Sequence, residues 1–352
     1  MSSFSEKIEA LAAVAGENPV VLMRLAVMLR EDGQMARAES FCRRAMAAAG
    51  NSPELMARAR DFRNSSVPKW HFALLRDEPR NRVYDQALQQ VVTPGCKVLE
   101  IGAGTGLLAM MAARAGAGEV ITCEMNPAMA EMATEIVRRN GYADSIRVIC
   151  KHSSDLDVEA DLGGPADLLV SEIVSNNLLS EGVLPSHEYA LQHLVRPGAP
   201  VIPAGGRIRV ALAHDRQPPP DIGTISGFDL SPLNDLAPVV RNIGVGLDRL
   251  VLRGPGTDLF DFSFGQSGYC QPGRADIVLR SDGGKVSGVV QWIALSFAGG
   301  EGYENRPAIG SNSNWTARFY PFPRPIETVA GQEIRIGAAH DRHNLFIWSN
   351  GD

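Results

Sequence analysis

The sequence predicts an α/β protein: a doubly wound parallel sheet, preceded by a short α-helical extension and followed by a β-barrel or β-sandwich domain. Three observations carry this. Val98 to Gly106 reads VLEIGAGTG, an apolar run that reaches an acid, Glu100, and then turns through Gly102, Gly104 and Gly106. Short apolar runs alternate with helical patterns from Lys97 to Ser171. After Pro197 helical periodicity fades and β-rich runs recur among Pro and Gly.

Composition sets the bounds. With 352 residues and 45% apolar content, the chain can bury a sizeable core, and its length favours more than one domain. A net charge of −6 argues against a sequence-independent grip on nucleic acid and suits a cationic substrate better. The cysteines, Cys42, Cys96, Cys123, Cys150 and Cys270, form no C-x-x-C pair. No metal site or disulfide framework is therefore expected, and a reducing, cytoplasmic setting fits. No apolar run approaches the roughly eighteen residues of a spanning helix, and the N-terminus lacks a signal-peptide pattern, so no membrane partner is expected.

Residues 4 to about 60 carry apolar positions at helical spacing, Leu22, Leu25, Ala26 and Leu29, then Met35, Ala38, Phe41, Cys42 and Ala45. Two helices joined at Asp32-Gly33 explain them, in an order that resembles one degenerate tetratricopeptide unit. Such a unit cannot bury both faces alone, so it packs on the main body or carries a partner. From Arg63 to Gln90, Pro68 can open a helix, and Leu74, Leu75, Val83, Ala87 and Leu88 mark apolar faces. This segment can lie over whatever the glycine turn holds. Its Arg80 has the guanidinium fork that binds a carboxylate in two-pronged fashion, a solvated arginine being the plain alternative.

Lys97 to Ile101 is the first strand, Leu107 to Ala115 a helix and Glu119 to Cys123 the second strand. Glu124 follows about twenty residues after the glycine turn, where an acid can accept hydrogen bonds from ribose hydroxyls. Asn126-Pro127 opens the next helix, and Ile146 to Cys150 is a third strand. Beyond it, Ser153, Ser154 and Asp155 stand where an adenine would lie. Ala166 to Ser171 is a fourth strand, apolar as one buried on both faces must be. A dinucleotide fingerprint requires a glycine where Leu107 stands. The fourth strand leads into SEIVSNNLLSEGVLPS, with Glu172 and Glu181 nine residues apart. On one helix they would face opposite ways, whereas a loop that doubles back brings them together. Paired carboxylates then match the planar N–H pairs of a guanidinium. Further on, Arg216 to Asp235 is rich in Pro, Asp and Gly and reads as a loop or an oligomerisation arm.

The pattern E-x-G-x-G-x-G resembles motif I of class I S-adenosylmethionine-dependent methyltransferases. In order, WHFALLRDEPRNRVY, VLEIGAGTGLLAMMAARAG, TCEMN, the double-glutamate loop, VIPAG and VQWIALSF resemble the protein arginine methyltransferase family from about Val67 to Trp348. The likeness is greatest to the branch with N-terminal tetratricopeptide-type repeats. It implies a Rossmann-like domain with N-terminal lid helices over 63–200, a β-barrel substrate and dimerisation domain over 201–352, and an extension over 1–62. It also implies a homodimer. The resemblance assigns S-adenosyl-L-methionine, released as S-adenosyl-L-homocysteine, to Arg80, Leu74, Glu100, Gly102, Gly104, Gly106, Glu124, Met125, Ser153 and Ser154. Glu172 and Glu181 become the catalytic pair, with Asp77, Asn177, Asn314 and Trp315 at the substrate.

One position departs from the family pattern. Its Thr-His-Trp loop reads Ser313-Asn314-Trp315 here, and the family histidine pairs with the aspartate that matches Asp77. Asn314 can donate to Asp77 but cannot take up a proton, so a link between domains is expected rather than an acid–base dyad. The expected activity is methyl transfer to an arginine guanidino nitrogen, with free L-arginine and protein-bound arginine as alternatives and monomethylarginine as product. A non-catalytic scaffold, or a methyltransferase for another small molecule, is the competing reading.

Overall fold

The computed structural model describes residues 4–349 apart from 267, 299–301 and 312. Its centre is a five-stranded parallel sheet in the order β3-β2-β1-β4-β5. These strands are β1 (Lys97–Ile101), β2 (Glu119–Cys123), β3 (Ile146–Ile149), β4 (Leu168–Ser171) and β5 (Val201–Ile202). All four residues of β4 are buried, as a strand covered on both faces requires. The chain order reverses between β1 and β4, and in such sheets ligands sit outside the carboxyl ends of the strands at that point. β5 joins this sheet, so the first domain runs to Ile202, two residues beyond the expected boundary.

Helices α1 (Phe4–Ala15), α2 (Pro19–Glu31), α3 (Met35–Ala48) and α4 (Pro53–Ser65) form the extension. The turn at Asp32-Gly33 does join two antiparallel helices, but the unit has four, and α4 runs past residue 62, where a boundary was expected. Asn18 and Ser52 cap α2 and α4 through their side-chain oxygens, each followed by a proline at the first helical position. Leu22, Leu25, Leu29, Cys42 and Phe62 belong to a core of this unit's own, separate from the main core. Two further helices follow, α5 (Trp70–Leu74) and α6 (Glu78–Val91), then α7 (Leu107–Arg114) after β1, α8 (Pro127–Arg139) after β2 and α9 (Val183–His193) after β4.

The second domain is one eight-stranded antiparallel sheet apart from a small hairpin. Strand β6 (Gly205–Asp215) leads to the hairpin β7 (Thr224–Ile225) and β8 (Phe228–Asp229), then to β9 (Arg241–Ile243), β10 (Leu250–Leu252) and β11 (Thr257–Ser263). Strand β12 (Gly273–Ser296), β13 (Tyr303–Glu304), β14 (Ala317–His340) and β15 (Leu345–Ser349) complete it. Runs that read as separate strands are single long ones. Ala275 to Leu279 and the run from Val286 as far as Ser296 belong to β12, bent by register shifts at Arg280/Asp282 and Val286/Gly288. One continuous hydrophobic core runs from Leu99 in the parallel sheet to Ile293 and Tyr320 in the antiparallel one. The two domains therefore meet through packed side chains.

Candidate active site

At the carboxyl ends of β1 and β4 lies a cavity of about 530 Å³. The glycine turn forms its floor. Gly102 adopts φ +84°, and a Cβ there would stand 2.6 Å from Ile173 Cγ2, so no other residue fits without displacing the wall. Gly104, at φ +53°, has open space where a Cβ would point, which leaves its backbone bare toward the cavity. Gly106 points elsewhere: a Cβ would meet Val137 of α8 at 3.0 Å, and the residue does not line the cavity. Its expected ligand role gives way to one in packing the turn against α8.

Glu124 lines the cavity from the end of β2. Gly104 N–H donates to its Oε2 at 3.0 Å and Asn126 N–H to its Oε1 at 2.8 Å. These two bonds fix the carboxylate while each oxygen keeps acceptor capacity for a ribose hydroxyl. Glu100, almost fully buried, also lines the cavity; burial pushes its carboxyl up to about 8, and its Oε2 has no hydrogen-bond partner. Ser153, Met125 and Leu74 line it, whereas Ser154 is exposed, its hydroxyl paired with His152 Nδ1 at 2.7 Å.

Arg80 enters from α6, whose N-terminus Asp77 caps. Its Nη1 donates to Glu172 Oε2 at 2.8 Å, and its Nε and Nη2 reach Asn81 Oδ1 at 3.2 and 2.7 Å. Three of five N–H groups are thereby used, and two remain for a carboxylate. Glu172, its side chain 11% exposed, keeps Oε1 without a partner. Burial pushes its carboxyl up, Arg80 pulls it back down, and the Glu181 charge pushes it up again. Glu181 lines the same cavity. It is open to cavity solvent, yet the protein packed around it pushes its carboxyl up to about 7. Solvent screens part of that effect.

The loop from Glu172 to Gly182 doubles back, as the nine-residue spacing requires, and the second domain holds its turn. Gln291 Nε2 donates to Asn176 O at 3.0 Å, Thr316 N–H to Asn176 Oδ1 at 3.0 Å and Asn177 Nδ2 to His343 O at 3.1 Å. Leu178 sits at φ +73°, fully buried, with its side chain over Gly206 of β6. That left-handed backbone costs about 1–2 kcal/mol in a non-glycine residue, which the burial of a leucine can offset. Asn177 was expected at the substrate; instead it is buried and spends its amide on the loop and the second domain.

Asp77, Asn314 and Trp315 also fall outside the cavity lining. Fully buried Asp77 accepts from Tyr303 Oη at 2.6 Å and from the backbone N–H of Asn314 at 3.0 Å. The Asn314 side chain, expected to make this link, is not its donor. Trp315 is buried edge-on against Tyr303. Tyr303 was missed in the sequence, as were Met35, Trp70, His71 and Ile173 in the cavity wall. The WHF run was a visible signal for Trp70 and His71, while nothing in the local sequence marked Met35.

The cavity thus offers a bare glycine backbone, a carboxylate fixed by two backbone N–H groups, an arginine with unused N–H groups and two further acids. This is the site of a class I S-adenosylmethionine-dependent methyltransferase. A family model described as ribosomal protein L11 methyltransferase (PrmA) matches residues 84–199. An arginine N(omega)-methyltransferase of Streptomyces achromogenes subsp. streptozoticus is 38% identical over 276 residues, 77% of this chain and 76% of that one. Zebrafish protein arginine N-methyltransferase 7 is 28% identical over 320 residues, 81% of this chain but only 46% of its own length. The chain belongs to the S-adenosylmethionine-dependent arginine N-methyltransferases. Solved structures share the fold. The Trypanosoma brucei PRMT1 enzyme-prozyme complex with AdoHcy superposes with TM-score 0.68 at 22% identity, over 78% of this chain and 88% of that one. Arabidopsis thaliana protein arginine methyltransferase 10 gives 0.64 at 17% identity, over 78% and 89%.

Proposed function

We propose that this arginine methyltransferase acts on the guanidino group of free L-arginine and gives monomethylarginine, with Glu172 and Glu181 holding the guanidinium. One observation carries the site assignment: Glu172 Oε1 is buried without a partner in the same cavity as Glu181. An acceptor in that state costs free energy until a donor arrives, and a guanidinium supplies planar N–H donors with positive charge. The free-arginine reading draws on the relative that matches most of both chains, which is named for arginine and not for protein arginine. Protein-bound arginine is the second reading, favoured by the 28% identity with protein arginine N-methyltransferase 7 across 81% of this chain.

When bound, the donor supplies an electrophilic sulfonium methyl group. The residues of this chain do the rest. Glu124 and the glycine backbone hold the nucleoside end, while Arg80 takes the donor carboxylate and the orphaned oxygen of Glu100 suits its ammonium. Glu172 and Glu181 draw positive charge onto the nitrogens they bind, leaving the remaining terminal nitrogen richer in electron density. Holding that nitrogen in place contributes the orientation part of catalysis, several kcal/mol on the order quoted for intramolecular reactions. Glu181, with its carboxyl near neutrality, is the group to take the proton that the guanidino nitrogen loses.

A homodimer belongs to the same reading. The hairpin β7–β8 and the turn after it expose Phe228 at 71%, Leu236 at 81% and Val239 at 80%, an apolar arm standing off the second domain. The deciding assay incubates the protein and S-adenosylmethionine with free arginine and, separately, with an arginine-rich protein, followed by mass spectrometry. Product from free arginine alone supports the proposal. Product only on the protein selects the second reading, and product from neither overturns both.

A further inference from the structure

The cavity wall contains a residue from outside both catalytic domains. Met35, the first residue of α3, borders the cavity although α3 belongs to the helical extension. That extension has its own hydrophobic core and is fastened to the parallel-sheet domain by polar contacts on α8. Arg63 Nε pairs with buried Glu39 at 2.7 Å and Arg63 Nη2 with Glu131 of α8 at 2.7 Å, with Arg43 also within 3.6 Å of Glu131. Asn126, which caps α8, donates from Nδ2 to Ser66 O at 2.7 Å just past the end of α4. The backbone N–H of the same Asn126 holds Glu124 Oε1. A continuous path therefore joins the extension to the acid that faces the ribose position, and the Met35 thioether, soft and adaptable, completes the wall.

We propose that the helical extension is a working part of the donor site: its docking on α8 seats Met35 against the bound donor and steadies Glu124 through Asn126. Docking of the extension and filling of the cavity then favour each other, because coupling between two binding events is reciprocal. The inference rests on the reading that this cavity takes S-adenosylmethionine.

The test measures the Kd of S-adenosylhomocysteine by calorimetry for the full chain and for Met35→Ala, Glu131→Lys and the double variant. Glu131→Lys sets a third cation against Arg63 and Arg43 on a partly exposed position, so the fold is retained while the extension is released. Each single variant is expected to weaken binding by about fivefold or more, within the usual range of such couplings. The double variant should be no weaker than Glu131→Lys alone, since a released extension no longer presents Met35. Hydrogen exchange over 35–40 should slow when S-adenosylhomocysteine is added to the unaltered chain, which keeps the proposal testable if Glu131→Lys does not fold. If the unaltered chain does not bind S-adenosylhomocysteine, the cavity reading falls. If it binds and Met35→Ala binds equally, if the two single losses multiply in the double variant, or if exchange over 35–40 is unchanged, this inference falls alone.

Discussion

Arg80 and Glu172, 92 residues apart in sequence, meet at 2.8 Å, with Arg80 4% exposed. Each therefore depends on the other for charge compensation. Breaking a buried pair by removing one partner costs up to about 3–5 kcal/mol when the survivor keeps its charge. The cost is less at Glu172, whose carboxyl burial already pushes up and which can take up a proton once Arg80 is gone. Arg80→Met is expected to lower stability by less than that limit and to weaken S-adenosylhomocysteine binding, measured by denaturant unfolding and calorimetry. Unchanged binding with unchanged stability would remove Arg80 from the site.

Glu181 makes the cleaner test of the acid pair, since its carboxylate has no arginine partner among the described ion pairs. Glu181→Gln should reduce kcat by about 100-fold or more, comparable to deleting a single preorganised electrostatic group. Affinity for S-adenosylhomocysteine should stay within about twofold, since the change is at the guanidinium end. Loss of donor binding in parallel with kcat would place Glu181 elsewhere.

The same carboxyl sets a pH dependence. Its pKa is about 7 in the folded chain, against the roughly 4.3 of a free glutamate. Between those values the folded state holds more protons than the unfolded one, so stability falls as pH rises through the window. Thermal unfolding should show a smaller loss from about pH 5 to pH 7 in Glu181→Gln than in the unaltered chain, discounted for the solvent that reaches the group. Over the same range kcat/KM for arginine should rise, because only the ionised acid attracts the guanidinium. Parallel melting curves for both proteins would contradict the assignment.

The link between domains at Asp77 is carried by Tyr303 and a backbone N–H. Asn314→Ala should therefore leave turnover within about twofold, as expected of an exposed side chain outside the special contacts. Tyr303→Phe leaves Asp77 short of a buried hydrogen bond and should cost about 1–3 kcal/mol of stability. A larger effect from Asn314→Ala than from Tyr303→Phe would reverse this account.

The arm stands on Asp215, which is fully buried and receives Arg249 at 2.8 and 2.9 Å and Arg241 at 2.8 Å. Both arginines lie after the arm in sequence, so the carboxylate ties its return to its start. Asp215→Asn is expected to destabilise the chain by a few kcal/mol and to shift the proposed dimer toward monomer in sedimentation. Self-association unchanged by Asp215→Asn and by Phe228→Ser would exclude the arm as its seat.

Much of this was legible in the sequence where local chemistry decides the outcome. Alternating glycines announce a turn with bare backbone, and an apolar run of doubly buried residues announces a parallel strand. Glu172 and Glu181 could be brought together on paper because their spacing forbids a shared helix face. Their supports could not, since Gln291, Thr316 and His343 reach the loop from more than a hundred residues away. Asn177 was placed at the substrate by resemblance alone, whereas burial turns its amide inward onto the loop and the second domain. Met35 carries no signal at all: its place in the wall follows from how one unit docks on another.

The seating of the double-glutamate loop also limits how this enzyme can be rebuilt. A loop transplanted from a relative with a different target would arrive without the Asn176 and Asn177 groups that the glutamine amide, the backbone N–H and the carbonyl of the second domain hold here, and without the Leu178 that Gly206 seats. The portable unit is the loop together with its receptor surface on β6, β12 and the β14–β15 turn. Retargeting the enzyme is therefore a graft across two domains.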